Sequence, residues 1–356
     1  MYWNKELETI SRKNLEELQL KKLSGALRDA ASTPFYRKVF KENNINVDKI
    51  SSLDHLKDLP FTSKADLRLS YPDGMVAVPR SDIIRMHASS GTTGKSTVIF
   101  YTAKDISDWA DLIARSMMAT GTTRDDVFQN MMGYGLFTGG LGLHYGAERL
   151  GCMVIPASSG NSLKQIQLMQ DFHTTVIHIT PSYALHLGDV VAEQGVRPPD
   201  LGVKKAYLGA EPYSEETRNK IEEQWGLEAY NSYGLSEMNG PGVAFECEHR
   251  TGMHLWEDFY IPEIIRALPV PLKIDGPAWL YLQQSRIKRG KLLLDVTTQF
   301  KWKALIPCPL KIASARRKGF QSLVRLCLSA RDVEVVELVV SSIGGISYKT
   351  RPVIQN

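Results

Sequence analysis

Between residues 122 and 237 short β-branched and aromatic runs alternate with amphipathic stretches, and this alternation restricts the possible folds more than any other feature of the chain. "DVFQNMMGY", "CMVIPA", "TVIHITPS", "KKAYLGAEP" and "EAYNSYGLSE" read as strands. Between them "GGLGLHYGAERLG", "SLKQIQLMQDFH", "YALHLGDVVAEQG" and "SEETRNKIEEQWG" carry helical periodicity. Strands separated by helices join by crossover connections, so the pattern predicts an α/β fold with a mainly parallel sheet flanked by helices on both faces. Ligands of such sheets bind beyond the carboxyl ends of the strands. That rule singles out the loops 134–142, 180–183, 209–212 and 233–237.

Upstream, residues 1–45 read as two amphipathic helices, and "LPFTSKADLR" as a short helix capped at Thr62 or Ser63. "DIIRMHASS" and "STVIFYT" are strands around the run "SSGTTGKS". Its Gly94-Lys95-Ser96 imitates the end of a Walker A loop, but the glycine required at position 89 is Ser89. A Walker A loop also feeds a helix, whereas residues 96–101 read as a strand. The loop is therefore expected to close a hairpin. Its chemistry still suits phosphate: Gly91 and Gly94 let backbone N–H groups converge, Ser89, Ser90, Thr92 and Thr93 offer hydroxyl donors, and Lys95 adds a cation. A solvated hairpin with no ligand has the same composition.

The 356 residues suffice for two or three domains, and 43% hydrophobic with 23% charged residues is ordinary for a globular chain. No apolar run is long enough to span a bilayer, and the charged N-terminus does not read as a secretion signal. Cys152, Cys247, Cys308 and Cys327 have no disulfide-framework spacing, so a reducing, cytoplasmic location is expected. The net charge of +4 conceals a break: residues 266–356 hold 16 Lys+Arg against 5 Asp+Glu, while the rest is acidic. A basic tail can bind nucleic acid, but this one carries no recognisable nucleic-acid motif and few interleaved aromatics.

Four segments in order, "SSGTTGKST", "YGLFTGGLGLHYGAERLG", "YLGAEPYSEETR" and "NSYGLSEMNGPGVAFEC", resemble the adenylate-forming superfamily of acyl-CoA synthetases, luciferases and peptide-synthetase adenylation domains. Within it they look closest to the phenylacetate–CoA ligases, over roughly residues 1–265. The resemblance implies ATP, Mg²⁺ and coenzyme A as partners of an aryl acid, which is activated as an acyl-adenylate and then transferred to the thiol. It implies that Ser89, Ser90, Gly91, Thr92, Thr93, Gly94 and Lys95 hold the phosphates. Gly209, Ala210, Glu211, Pro212, Tyr233 and Gly234 would surround the adenine. Tyr134 and Phe137 would line the acyl pocket, with Gly139, Gly140 and Gly142 leaving it room. Glu237 would bind Mg²⁺, and Lys95 and Glu237 would be the catalytic pair. Glu211 serves equally well as a charge at a helix N-terminus. His87, His144 and His178 read as structural or pocket-wall residues. Cys247 and His249, with His254 following, offer half of a zinc site, whose completion needs a later residue such as Cys308. A homodimer is a candidate assembly.

From Arg266 onward the family pattern stops. The ribose-binding Asp motif, the hinge and the small C-terminal domain that the resemblance would bring are not recognisable there. The expectation is an intact adenylate-forming unit over 1–265 and, over 266–356, a frame-shifted and poorly folded tail. The alternatives are a non-catalytic nucleotide-binding remnant and an adenylate-forming enzyme for another aromatic acid.

Overall fold

The computed structural model describes residues 2–89, 96–238 and 240–264, together with the backbone of short strand segments between Ala278 and Tyr348. The expectations for the tail therefore lie outside the described residues.

Three helices, α1 (Lys5–Glu8), α2 (Arg12–Ala31) and α3 (Pro34–Glu42), open the chain. Ser11 and Thr33 cap the second and third by accepting backbone N–H groups of their first turns. Helix α4 (Lys64–Leu69) begins at Ser63, whose hydroxyl accepts from Asp66 N while the Asp66 carboxylate accepts from Ser63 N, a reciprocal capping box. Strands β1 (Ile83–Ala88) and β2 (Val98–Thr102) then pair antiparallel. The Gly/Ser/Thr run thus joins strand to strand as a hairpin.

The alternating region follows: α5 (Ala103–Ala119), β3 (Val127–Asn130), α6 (Thr138–Leu150), β4 (Met153–Ile155), α7 (Ser162–Phe172), β5 (Val176–Ile179), α8 (Pro181–Glu193), β6 (Lys205–Leu208), α9 (Glu215–Trp225) and β7 (Glu228–Leu235). Strands β4, β3, β5, β6 and β7 lie side by side in that order, all parallel. Strands β8 (Gly240–Glu246) and β9 (Met253–Leu255) extend this sheet antiparallel beyond β7, and β10 (Tyr260–Ile264) ends the well-described stretch.

Alternate residues of the parallel strands feed two cores. Val176, Tyr207 and Tyr230 join α5, α6 and the N-terminal helices on one face, while Ile177, Ile179, Ala206, Leu208 and Ala229 join α7, α8 and α9 on the other. A strand buried on both faces must be apolar at nearly every position, and this is why these runs stood out. Helix α6 lies tight against α5: a side chain at Gly142 would run into the Trp109 ring, and one at Gly146 into Ile113. A buried ion network ties the chain's start to its later part. Arg115 of α5 donates two hydrogen bonds to Asp258 (2.7 and 3.2 Å) and faces Glu8 at 3.8 Å, while Arg12 donates to Glu257 at 3.0 Å.

Candidate active site

A small cavity opens at the carboxyl ends of the parallel strands. Met132 follows β3, His178 is the last but one residue of β5, Gly209 and Ala210 follow β6, and Ser232, Gly234 and Leu235 belong to β7. Phe137, Thr138 and Gly139 close it from the start of α6, and Gly240 and Pro241 from β8. Strand β3 has β4 on one side and β5 on the other, so the chain crosses over in opposite directions there. That reversal opens a crevice above the sheet.

Three of the four motif segments meet at this cavity. Thr138 Oγ1 and Ser236 Oγ share a hydrogen bond of 3.1 Å, which joins the α6 start to the turn after β7. The Leu136 carbonyl accepts from Ala88 N at 3.0 Å and lies 3.0 Å from His87 Nδ1, so the end of β1 is fixed beside Phe137. Ser89 N donates to the Thr97 carbonyl at 2.9 Å and closes the hairpin neck. The neck of the Ser/Thr/Gly loop therefore stands next to the cavity mouth; Ser90, Gly91, Thr92, Thr93, Gly94 and Lys95 lie outside the described residues.

Glu237 follows directly. It is 3% exposed, and its Oε1 meets no hydrogen-bond donor among the described residues. Burial pushes its carboxyl up to about 8, against the opposing pull of its own backbone N–H and of the Lys64 charge. Lys64 is in turn lowered, first by burial. A buried carboxylate oxygen without a donor is a costly arrangement that a cation relieves. The site thus fits a hard divalent ion on Glu237.

The adenine candidates divide. Gly209, Ala210 and Gly234 line the cavity. Ala210 holds φ +66°, a left-handed conformation that costs a residue with a Cβ about 1 kcal/mol and recurs at ligand sites. The Glu211 carboxylate accepts from Ser182 Oγ (2.9 Å) and Ser182 N (3.2 Å) in the first turn of α8, so it serves as the helix N-terminal charge and holds the 180–183 loop. Pro212 is exposed beside it. Tyr233 is half-buried and packs on the larger core.

The glycines also divide. Gly139 lines the cavity under Phe137. A side chain at Gly140 would strike the Gly133 carbonyl, and one at Gly142 the Trp109 ring, so these two give room to backbone and helix packing rather than to a ligand. Tyr134 stands outside the cavity lining; its hydroxyl bonds Asn130 Nδ2 (2.9 Å) and His144 Nδ1 (3.1 Å). Met132, Thr138, Ser232, Leu235, Ser236, Gly240 and Pro241 are lining residues that the motifs did not name individually. Most flank a motif, and the strand-end rule would have reached them one residue further along.

The zinc expectation finds no support among the described residues, and Cys308 lies outside them. Cys247 is buried with its thiol pushed up by burial, whereas His249 is exposed, its Nε2 3.8 Å from Glu248 Oε1. No group of three His, Cys, Asp or Glu that could hold a metal gathers among the described residues. Cys152 and Cys247 are free thiols, and no helix of the described residues is long and apolar enough to cross a membrane.

The structure thus places a candidate ligand site at the carboxyl ends of the strands of a mainly parallel α/β sheet. The model of the AMP-binding enzyme family matches residues 19–263, and the chain belongs to that family. It is 48% identical over 272 residues to the phenylacetate–coenzyme A ligase of Pseudomonas putida, an overlap of 76% of this chain and 62% of that one. It is 49% identical to the corresponding ligase of Aromatoleum evansii, over 73% of this chain and 59% of that one. The chain thus spans about 60% of the length of these curated relatives. Among solved structures, 2-hydroxyisobutyryl-CoA ligase in complex with 2-HIB-AMP and CoA superposes with a TM-score of 0.76 at 26% identity, covering 83% of this chain and 66% of that one.

Proposed function

We propose that the chain is the acid-activating part of an aryl-acid–CoA ligase of the phenylacetate type, forming AMP. A substrate carboxylate oxygen attacks the α-phosphorus of ATP; the new P–O bond replaces the bridging bond to the β-phosphate, and pyrophosphate leaves. A coenzyme A thiolate then attacks the acyl carbon, and AMP leaves with the electron pair of the broken C–O bond. Two anions must meet in the first step, so the site has to place positive charge and N–H donors where charge develops. A magnesium ion would neutralise phosphate charge when bound, and Glu237 would hold it.

The chain's own residues supply the rest of the reading. Cavity walls of Met132, Phe137, Leu235 and Pro241, with glycine backbone between them, suit a flat aromatic ring and include no Lys or Arg among the described residues. The carboxylate end of the acid would therefore lie at the mouth, toward the Ser89–Lys95 loop and Glu237. The observation that carries this reading is the buried carboxyl of Glu237, one of whose oxygens meets no donor among the described residues, one position after the cavity-lining Ser236. The same reading places the protein in the cytoplasm and treats 1–265 as one adenylate-forming unit, with 266–356 a separate tail. ATP–pyrophosphate exchange with a panel of aryl acids tests it. Acid-dependent exchange is expected, and no exchange with any acid refutes it. A second reading, a nucleotide-binding remnant, draws on the missing ribose Asp motif after Arg266; it predicts nucleotide retention with no exchange.

A further inference from the structure

At the floor of the cavity sits one histidine with a fixed chemical identity. His178 is 3% exposed, lies one residue before the end of β5, and stacks against Phe128 with ring planes 19° apart. Its Nδ1 lies 3.0 Å from Asn130 Oδ1. The orientation of that amide is set by its other partners: Nδ2 donates to the Gly140 carbonyl at 2.6 Å and to the Tyr134 hydroxyl at 2.9 Å, while Oδ1 accepts from Met132 N at 3.3 Å. A flipped amide would turn its oxygen onto the Gly140 carbonyl. Asn130 Oδ1 is thus the acceptor, and His178 Nδ1 must carry the proton. The remaining ring nitrogen, Nε2, is then a pure acceptor on a residue that lines the cavity. Full burial holds the imidazole neutral, pushing it down to about 3, so Nε2 stays a lone pair at every working pH.

We propose that His178 is a specificity-determining residue whose Nε2 accepts a hydrogen bond from a donor on the substrate's aromatic ring, so that the cavity prefers hydroxylated or indolic arylacetic acids over unsubstituted phenylacetate. The inference rests on the reading of this cavity as the acyl site. A neutral acceptor gives nothing to a carboxylate or a phosphate, so those groups are not what it faces. An unsubstituted ring would cover Nε2 and strip its water without replacement, whereas a ring O–H or N–H would satisfy it. Of the hydroxyls that also line the cavity, those of Thr138 and Ser236 bond each other, and removing the ring at His178 separates the part played by Nε2 from that of Ser232.

Calorimetric titration of the full-length protein with phenylacetate, its three ring-hydroxylated isomers and indole-3-acetate tests the inference. At least one donor-bearing acid should bind about three- to tenfold more tightly than phenylacetate. His178→Leu should bring that ratio near one by weakening the donor-bearing acid while phenylacetate holds or improves. His178→Gln keeps a side-chain acceptor and should retain part of the preference. Equal binding of all the acids to the wild type overturns the inference, as does an unchanged ratio in a folded His178→Leu protein. In either case the acyl site itself stands. Binding of none of the acids, with nucleotide still bound, overturns the acyl reading and this inference together.

Discussion

Glu237 links the pH behaviour of the protein to its metal chemistry. Its carboxyl titrates near 8 in the folded protein and in the ordinary carboxylate range once unfolded. Between those values the folded state holds a proton that the unfolded chain has released. The contribution of this group to stability is therefore complete below the ordinary carboxylate pKa and is lost as pH rises through about 8. Replacing it with Gln removes the ionisation, so the Glu237→Gln melting temperature without metal should stay flatter from about pH 5 to 9 and exceed the wild type at the alkaline end. A wild type that gains stability over that range relative to the variant would contradict the assignment. The same variant should lose Mg²⁺-dependent ATP binding while metal-free AMP binding changes little, as titration with and without the ion would show. Equal losses would mean that the residue acts through the fold.

At the level of elements, the close fit of α5 and α6 depends on what α6 lacks. Gly142→Ala puts a methyl group into the Trp109 ring and should cost about 1–3 kcal/mol, read as a lower midpoint in urea. Trp109 cannot retreat freely, because its Nε1 donates to the Pro241 carbonyl at 2.8 Å on the cavity wall. The hairpin loop should behave oppositely: Thr92→Ala with Lys95→Ala should weaken ATP binding while the stability read from urea unfolding changes by less than about 0.5 kcal/mol, as substitutions away from a packed core do. An unchanged ATP affinity would leave the loop a plain hairpin. These elements also show why the sequence could be read so far. Strands buried on both faces, such as Val176–Ile179, are apolar at every step but one, and helices such as α9 start at a capping Ser and stop at a left-handed Gly226. Strands β8 and β9 escaped, because "GPGVAFE" and "MHL" carry glycine, charge and no alternation. Their pairing comes from the neighbouring strand rather than from local pattern. The role of Gly142 was hidden because Trp109, distant in the chain, decides it, and Ser182, also distant, decides between the two roles that the sequence left open for Glu211.

For the whole molecule, the change of composition at Arg266 generates its own tests. Translating the underlying coding sequence in its two other frames should restore a ribose-binding Asp motif and a hinge; if neither frame does so, the frame-shift proposal fails. The 356-residue protein itself should support acid-dependent pyrophosphate exchange yet form no aryl-CoA at a useful rate, because the groups that orient the thiol belong to the motifs that are not recognisable. Robust thioester formation would show that residues 266–356 make a working domain. The ion network of Glu8, Arg12, Arg115, Glu257 and Asp258 bears on how the protein can be cut into pieces. The family match begins at residue 19, yet a fragment started there discards both Glu8 and Arg12. Glu257 would lose a cation and Arg115 a carboxylate, and stripping partners from buried charges is strongly destabilising. The smallest self-standing fragment therefore runs from before Glu8 to beyond Asp258, so an expression boundary drawn from sequence similarity alone would fall inside the folding unit and sever its two ends from each other.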